Sequence, residues 1–277
     1  FLLVHRFGLT MEVLDHPSSE LRELLDELEY EPEKVFIPNL PGDFVVVHVL
    51  GEDIPIELLA CLDTANAEIS GRRVWPGSAI LATALSSPHI QPTILNSTIL
   101  ELGGGSGLAG MCAMRLGAAR VVITDGDATS LDLTNQNLEA NGLAGLVEAR
   151  RLLWGVGEHL SAFKESEAAP VCGFDVIIAG DVLYKEDLPL LLFDTVKALL
   201  AANGQCFLCH VPRARVTHDV VRQGARMSGL SIEEFGLLEE VTLDIGDVCS
   251  DEERGLARLY ILRHPNGQQD GDLSLSV

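Results

Sequence analysis

The sequence predicts an α/β protein: a Rossmann-like, doubly wound, mostly parallel sheet of seven strands with an antiparallel pair at its C-terminal end. Three observations carry this. Apolar strand-like runs alternate with helix-like segments from about residue 98 to 230, and such alternation implies parallel strands joined by crossover helices. Two more strand-like runs, 230–238 and 256–263, follow with no helical pattern between them, which suggests an antiparallel hairpin on the same sheet. The stretch from Thr98 to Asp125 reads in succession as strand, glycine turn, helix, strand and acid, the opening unit of a doubly wound fold.

In chain order, residues 1–17 show no clear periodicity. A helix is expected from Ser18 or Ser19, with Leu21, Leu24, Leu25 and Leu28 on one face and the serines able to cap it. Residues 35–42 carry Pro38 and Pro41 and read as a linker; residues 43–50 read as a strand containing His48. These parts form an N-terminal accessory region, 1–70, a small α/β extension ahead of a main domain spanning 71–264. Gly71–Leu85 places Trp75 and Pro76 before an Ala/Ile/Leu helix, where proline is well tolerated. On residue type alone Trp75 is a core aromatic at a helix start. Residues 86–97 read as a loop. Ile99–Leu102 is a short apolar strand, Gly103–Gly105 break it, and Leu108–Leu116 is an Ala-rich helix. Val121–Thr124 is a β-branched strand ending on Asp125. Leu131 and Leu138 mark an amphipathic helix that starts near Asp127 or Thr129 and stops at Asn141-Gly142. Leu146–Leu153 is a third strand closing on Trp154, and 155–173 a polar crossover with a short helix. Phe174–Ala179 is a buried strand running into Gly180-Asp181-Val182-Leu183-Tyr184. A helix over Asp187–Leu200 is expected to stop at Asn203-Gly204, followed by a strand over Gln205–Val211 and a helix over Val216–Met227. An acid-rich stretch, Glu239–Arg254, separates the last two strands, and residues 265–277 form a polar tail.

Composition narrows the function. Hydrophobic residues make up 47% of 277, enough for a sizeable core. The formal net charge of −22 argues against a nucleic-acid surface, which needs clustered Lys and Arg, and against an anionic membrane surface. It suits a basic substrate or a plain solvated surface. No run is long and apolar enough to span a bilayer, and residues 1–9 lack the apolar core of a signal peptide. The six cysteines read as reduced thiols of a cytoplasmic protein, with the nucleus as the alternative. Cys206 and Cys209 form a CxxC on a strand, where residues three apart face opposite sides, so no metal site is expected. A monomer is expected.

The glycine turn points to a ligand. Five glycines between Gly103 and Gly110 let a ligand approach the backbone closely, the following helix aims free N–H groups at it, and Asp125 is placed to accept from a ribose diol. A nucleoside-containing cofactor follows. Gly105-Ser106-Gly107-Leu108-Ala109-Gly110 matches GxGxxG, with Asp125 twenty positions beyond Gly105, as in NAD-binding proteins. The strand ends by Leu102 or Gly103, however, so Gly105 stands late for that motif. Glu101 in the strand's last positions suits a cationic amino group instead of a pyrophosphate.

Glu101-Leu102-Gly103-Gly104-Gly105-Ser106-Gly107 resembles motif I of class I, seven-β-strand S-adenosylmethionine methyltransferases. Three further matches resemble the family 16 group of protein lysine methyltransferases: Val74-Trp75-Pro76-Gly77 before an apolar helix, Leu152-Leu153-Trp154 closing the third strand, and Phe174–Tyr184 ending in Asp-x-x-Tyr. Thr124-Asp125 with Leu131, Asn137 and Asn141-Gly142 resembles the second motif. The resemblance implies S-adenosyl-L-methionine as cofactor and methyl transfer to a lysine of a protein substrate. It implies that Gly103, Gly105 and Gly107 carry the methionine part, Glu101 stands near its amino group, Asp125 holds the ribose and Trp154 borders the adenine. Trp75 and Ala179 complete that pocket, while Asp181 and Tyr184 line the mouth where the target nitrogen arrives. Alternatives are a small-molecule N-methyltransferase acting on a nicotinamide-like substrate, a non-catalytic cofactor-binding scaffold and an NAD-dependent oxidoreductase.

Overall fold

A computed structural model describes residues 71, 73–213, 215–235 and 249–265. The helix expected near residue 18, the strand at 43–50, most of the acid-rich stretch and nearly all of the polar tail lie outside the described residues.

The described chain opens with helix α1 (Pro76–Leu85), proline at its first turn, and a single turn α2 (Gln91–Ile94) within the expected loop. Then come β1 (Thr98–Leu102), α3 (Leu108–Arg115), β2 (Arg120–Asp125), α4 (Ala128–Ala140), β3 (Val147–Arg151) and α5 (Gly157–Glu165). The second half runs β4 (Phe174–Gly180), α6 (Leu188–Leu199), β5 (Leu200–His210), α7 (His218–Met227), β6 (Ser231–Phe235), α8 (Asp251–Leu256) and β7 (Arg258–Arg263). The seven strands form one sheet in the order β3-β2-β1-β4-β5-β7-β6. β1 to β5 are parallel, and β7 is antiparallel to both β5 and β6.

Strand alternation sorts the core into two layers. Ile99, Val121, Ile123, Val176, Ile178 and Cys209 pack on one face with α1 and α3. Leu100, Val122, Ile177, Cys206 and Tyr260 pack on the other with Phe163 of α5, α6 and α7. Central strands buried on both faces account for their unbroken apolar runs. Cys206 and Cys209 fall in different layers, as strand spacing requires, and burial pushes both thiols up.

Two elements differ from the sequence reading. Asn203-Gly204 does not stop a helix: α6 ends at Leu199 and β5 starts at Leu200. The β4–β5 register jumps, Phe174 pairing with Leu200 but Val176 with Gln205, so residues 201–204 form a bulge. The last two strands do have a helix between them, α8. Ser250 Oγ accepts the Glu253 N–H at 3.2 Å while the Glu253 carboxylate accepts the Ser250 N–H at 3.1 Å, a reciprocal cap.

Candidate active site

The order of strands reverses between β1 and β4, and the crevice beyond their carboxyl ends is where a doubly wound sheet takes its ligand. A cleft of about 820 Å³ opens there. The turn after β1 contributes Gly103–Ser106, the end of β2 contributes Asp125–Asp127, and the chain after β3 contributes Leu152–Trp154. Gly180–Val182 and Tyr184 come from the end of β4, and Arg73 and Trp75 from the segment before α1.

The glycine turn is held from beneath and from the side. Gly105 lies at φ +54°, and a Cβ there would stand 2.7 Å from the Gly71 carbonyl oxygen. Its N–H donates to Asp125 Oδ2 at 3.0 Å, and the Asp127 N–H donates to Asp125 Oδ1 at 2.9 Å. Asp125 thereby ties the turn after β1 to the start of α4, and burial pushes its carboxyl up. From α4, Thr134 Oγ1 donates to the Gly105 carbonyl at 2.6 Å and Asn137 Nδ2 to the Ser106 carbonyl at 2.8 Å. The Trp154 indole comes within 3.4 Å of the place a Gly103 side chain would occupy, so an aromatic ring borders the turn.

Glu101 does not line the cleft. Its carboxylate is buried beneath the turn and accepts the Gly110 N–H at 2.9 Å, inside the first turn of α3. Burial raises its pKa to about 8. The folded protein therefore holds this proton to higher pH than the unfolded chain, whose carboxyl titrates near 4.5. The stability contributed is present below pH 4.5 and is lost as pH rises through about 8. Glu101→Gln is expected to flatten that window, raising the ligand-free Tm at pH 8.5 by roughly 5 °C. Thermal unfolding from pH 5 to 9 checks this, and parallel curves for the two proteins would remove the buried charge from the account.

Gly107 and Ala179 are also absent from the lining: Gly107 starts α3 against Thr134, and Ala179 is buried in β4. Trp75, Gly103, Gly105, Asp125, Trp154, Asp181 and Tyr184 are all brought to the cleft. Tyr184 is half-exposed at its rim beside Lys185.

Asp181 is turned inward. It has φ +58° and a side chain 1% exposed. Arg213 Nε and Nη2 donate to Oδ1 and Oδ2 at 3.1 and 2.6 Å, and the Gly77 N–H donates to Oδ2 at 3.2 Å. Trp75, the residue before α1, provides no side-chain cap for that helix; Asp181 serves as its cap from the end of β4, where an anion is favoured by the helix dipole. Asp181 thus lines the cleft as the sequence reading expects, with its carboxylate paired to Arg213. Sequence reasoning also missed Arg213, which lies in the loop after β5, and Arg73. Both guanidinium groups lie over the Trp75 ring, at 4.6 and 4.9 Å from its centroid. A run of basic residues on each side of the apolar elements, Arg72-Arg73 and Arg213-Ala214-Arg215, is the signal that was available.

The sheet order, the glycine turn and the acid at the tip of β2 define the class: an S-adenosylmethionine-dependent methyltransferase. The chain belongs to the lysine methyltransferase family, whose sequence profile matches residues 57–222. It is similar to the protein N-terminal and lysine N-methyltransferase efm7 of Neurospora crassa, 27% identical over 205 residues, which are 68% of this chain and 69% of that one. It is also similar to the protein N-lysine methyltransferase METTL21A of Mus musculus, 31% identical over 49% of this chain and 58% of the relative. The calmodulin-lysine N-methyltransferase of Arabidopsis thaliana is 31% identical over 52% of this chain and 48% of its own length. Among solved structures, a candidate SAM-dependent methyltransferase from Streptococcus mutans superposes with a TM-score of 0.55 at 14% identity, covering 82% of this chain and 57% of that one. At that identity the likeness is one of fold.

Proposed function

We propose that this chain transfers the methyl group of S-adenosylmethionine to the side-chain amine of a lysine in a protein substrate. The observation that carries the reading is the glycine turn pinned by Asp125 at the carboxyl end of β1, in a chain of the lysine methyltransferase family. In this reading Asp125 accepts from the ribose hydroxyls, Trp154 and Leu153 flank the adenine, and the backbone of Gly103–Gly105 supports the methionine part. Glu101 stands beneath that backbone, its buried carboxyl accepting the Gly110 N–H at the start of α3.

When bound, the cofactor supplies an electrophilic methyl carbon on a sulfonium. The protein's task is to hold nucleophile, carbon and sulfur in line and to keep water out. A lysine amine, with an ordinary pKa of about 10.4, must arrive unprotonated, and an apolar, partly dehydrated rim favours the neutral form. Tyr184 and Trp75 supply such a rim. The net charge of −22 supports a target segment rich in Lys and Arg.

Calorimetric titration with S-adenosylmethionine, S-adenosylhomocysteine and NAD tests the cofactor, and a methyl-label assay with cell lysate proteins tests the transfer. Binding of the first two ligands and a labelled protein band are expected. Binding of NAD alone would sink the proposal. Trp154→Ala is expected to weaken S-adenosylhomocysteine binding about tenfold, the scale of an aromatic contact worth ~1.4 kcal/mol. An unchanged Kd would move the adenine elsewhere.

A further inference from the structure

Given the methyl-transfer reading above, we infer that Arg213 is a positioning residue of the transfer site, acting through Asp181 and Trp75. One guanidinium group joins four separate segments. It makes the two-pronged pair with Asp181 at the end of β4, at 3.1 and 2.6 Å. It lies 4.6 Å from the centroid of the Trp75 ring, ahead of α1. Its Nη2 approaches Glu253 of α8 at 3.7 Å, and its own backbone belongs to the loop after β5. Asp181 in turn holds the Gly77 N–H, so the orientation of Trp75 and the start of α1 both depend on the same contact.

A planar, forked cation is the group this arrangement needs. It satisfies both oxygens of a buried carboxylate while stacking on an aromatic face; an ammonium group does neither as well. Without it, Asp181 would be a buried, unpaired charge.

The consequence for chemistry concerns the target amine. A free carboxylate at the mouth would hold an arriving lysine in its charged, non-nucleophilic form, because an opposite charge favours the ammonium. Arg213 removes that option by occupying Asp181. Beside Trp75 and Tyr184 the cleft wall carries the cations Arg73 and Lys185, which favour the neutral amine; the carboxylates Asp125 and Asp127 line the cleft at the end of β2, and Glu253 faces Arg213 and Arg73. Arg213 therefore fixes the wall and sets the charge that the nucleophile meets.

The chain has two tryptophans, Trp75 and Trp154, so Trp154→Phe leaves Trp75 as the sole tryptophan reporter. In that background Arg213→Gln is expected to raise acrylamide quenching of Trp75 at least twofold, with Arg213→Lys between the two. With Trp154 intact, Arg213→Gln is expected to leave the Kd for S-adenosylhomocysteine within threefold. Labelling of lysate proteins by methyl-labelled S-adenosylmethionine should fall at least tenfold at pH 7.5, and the rising limb of its pH profile should move up by about one unit. Adding Asp181→Asn removes the unpaired carboxylate and should return that limb toward its original position; it also relieves the buried charge if the single variant folds poorly, as circular dichroism would reveal. Wild-type quenching and a wild-type pH profile in Arg213→Gln would overturn the inference, as would a loss of labelling matched by an equal loss of cofactor affinity. A wild-type protein that binds no S-adenosylhomocysteine would instead sink the methyl-transfer reading, while the Trp75 measurement still judges the contact.

Discussion

Asp125→Ala is expected to lower affinity for S-adenosylhomocysteine by at least 100-fold. A hydrogen bond to a charged group contributes about 1.5–3 kcal/mol, and a ribose diol offers two, so at least ~3 kcal/mol is at stake. The same carboxylate also holds the Gly105 and Asp127 amides at 3.0 and 2.9 Å, so its removal loosens the floor of the cleft as well as the contact. Asp125→Asn keeps an acceptor and should retain part of the affinity. Calorimetry on both variants, with circular dichroism to establish folding, separates the two effects. An Ala variant that folds and binds within threefold of wild type would take Asp125 out of the site.

Gly105→Ala is expected to damage both stability and binding. The residue lies at φ +54°, where an L-residue costs about 1–2 kcal/mol. The added Cβ would also meet the Gly71 carbonyl oxygen at 2.7 Å, a backbone atom that cannot swing aside, and overpacking adds about 1–3 kcal/mol. A Tm lower by roughly 10 °C follows, with cofactor affinity falling because the displaced turn is itself part of the cleft. A Tm within 2 °C of wild type would mean that the turn adapts freely and that its glycines are not needed for shape.

What was legible in the sequence rests on local chemistry. Gly103, Gly105 and Asp125 announce a turn and an acid through residue type and spacing alone. The runs Ile99–Leu102 and Phe174–Ala179 announce strands buried on both faces. The reading failed where distant contacts decide. Asn203-Gly204 has the composition of a helix stop, yet pairing of β5 with β4 draws it into a bulge. The acids of 251–253 resemble a solvated loop, although Ser250 and Glu253 stand at the spacing of a reciprocal cap. Asp181 reads as a carboxylate at a strand end, and nothing near it in sequence reveals that Arg213, 32 residues on, occupies it. Likewise Glu101 gives no sign that its carboxylate is buried against the Gly110 amide, outside the cleft lining.

The cap of α1 by Asp181 has a consequence for synthesis on the ribosome. Gly77 and Asp181 are 104 residues apart. At about 5–20 residues per second, α1 emerges roughly 5–20 s before its capping carboxylate, and later still comes Arg213, which neutralises that carboxylate. An apolar ten-residue helix, PGSAILATAL, is too short to persist alone in water. Its packing partner α3 follows soon after, but the carboxylate that caps it belongs to the second half of the chain. The start of the first described helix is therefore completed only after β4 and the loop after β5 have been made.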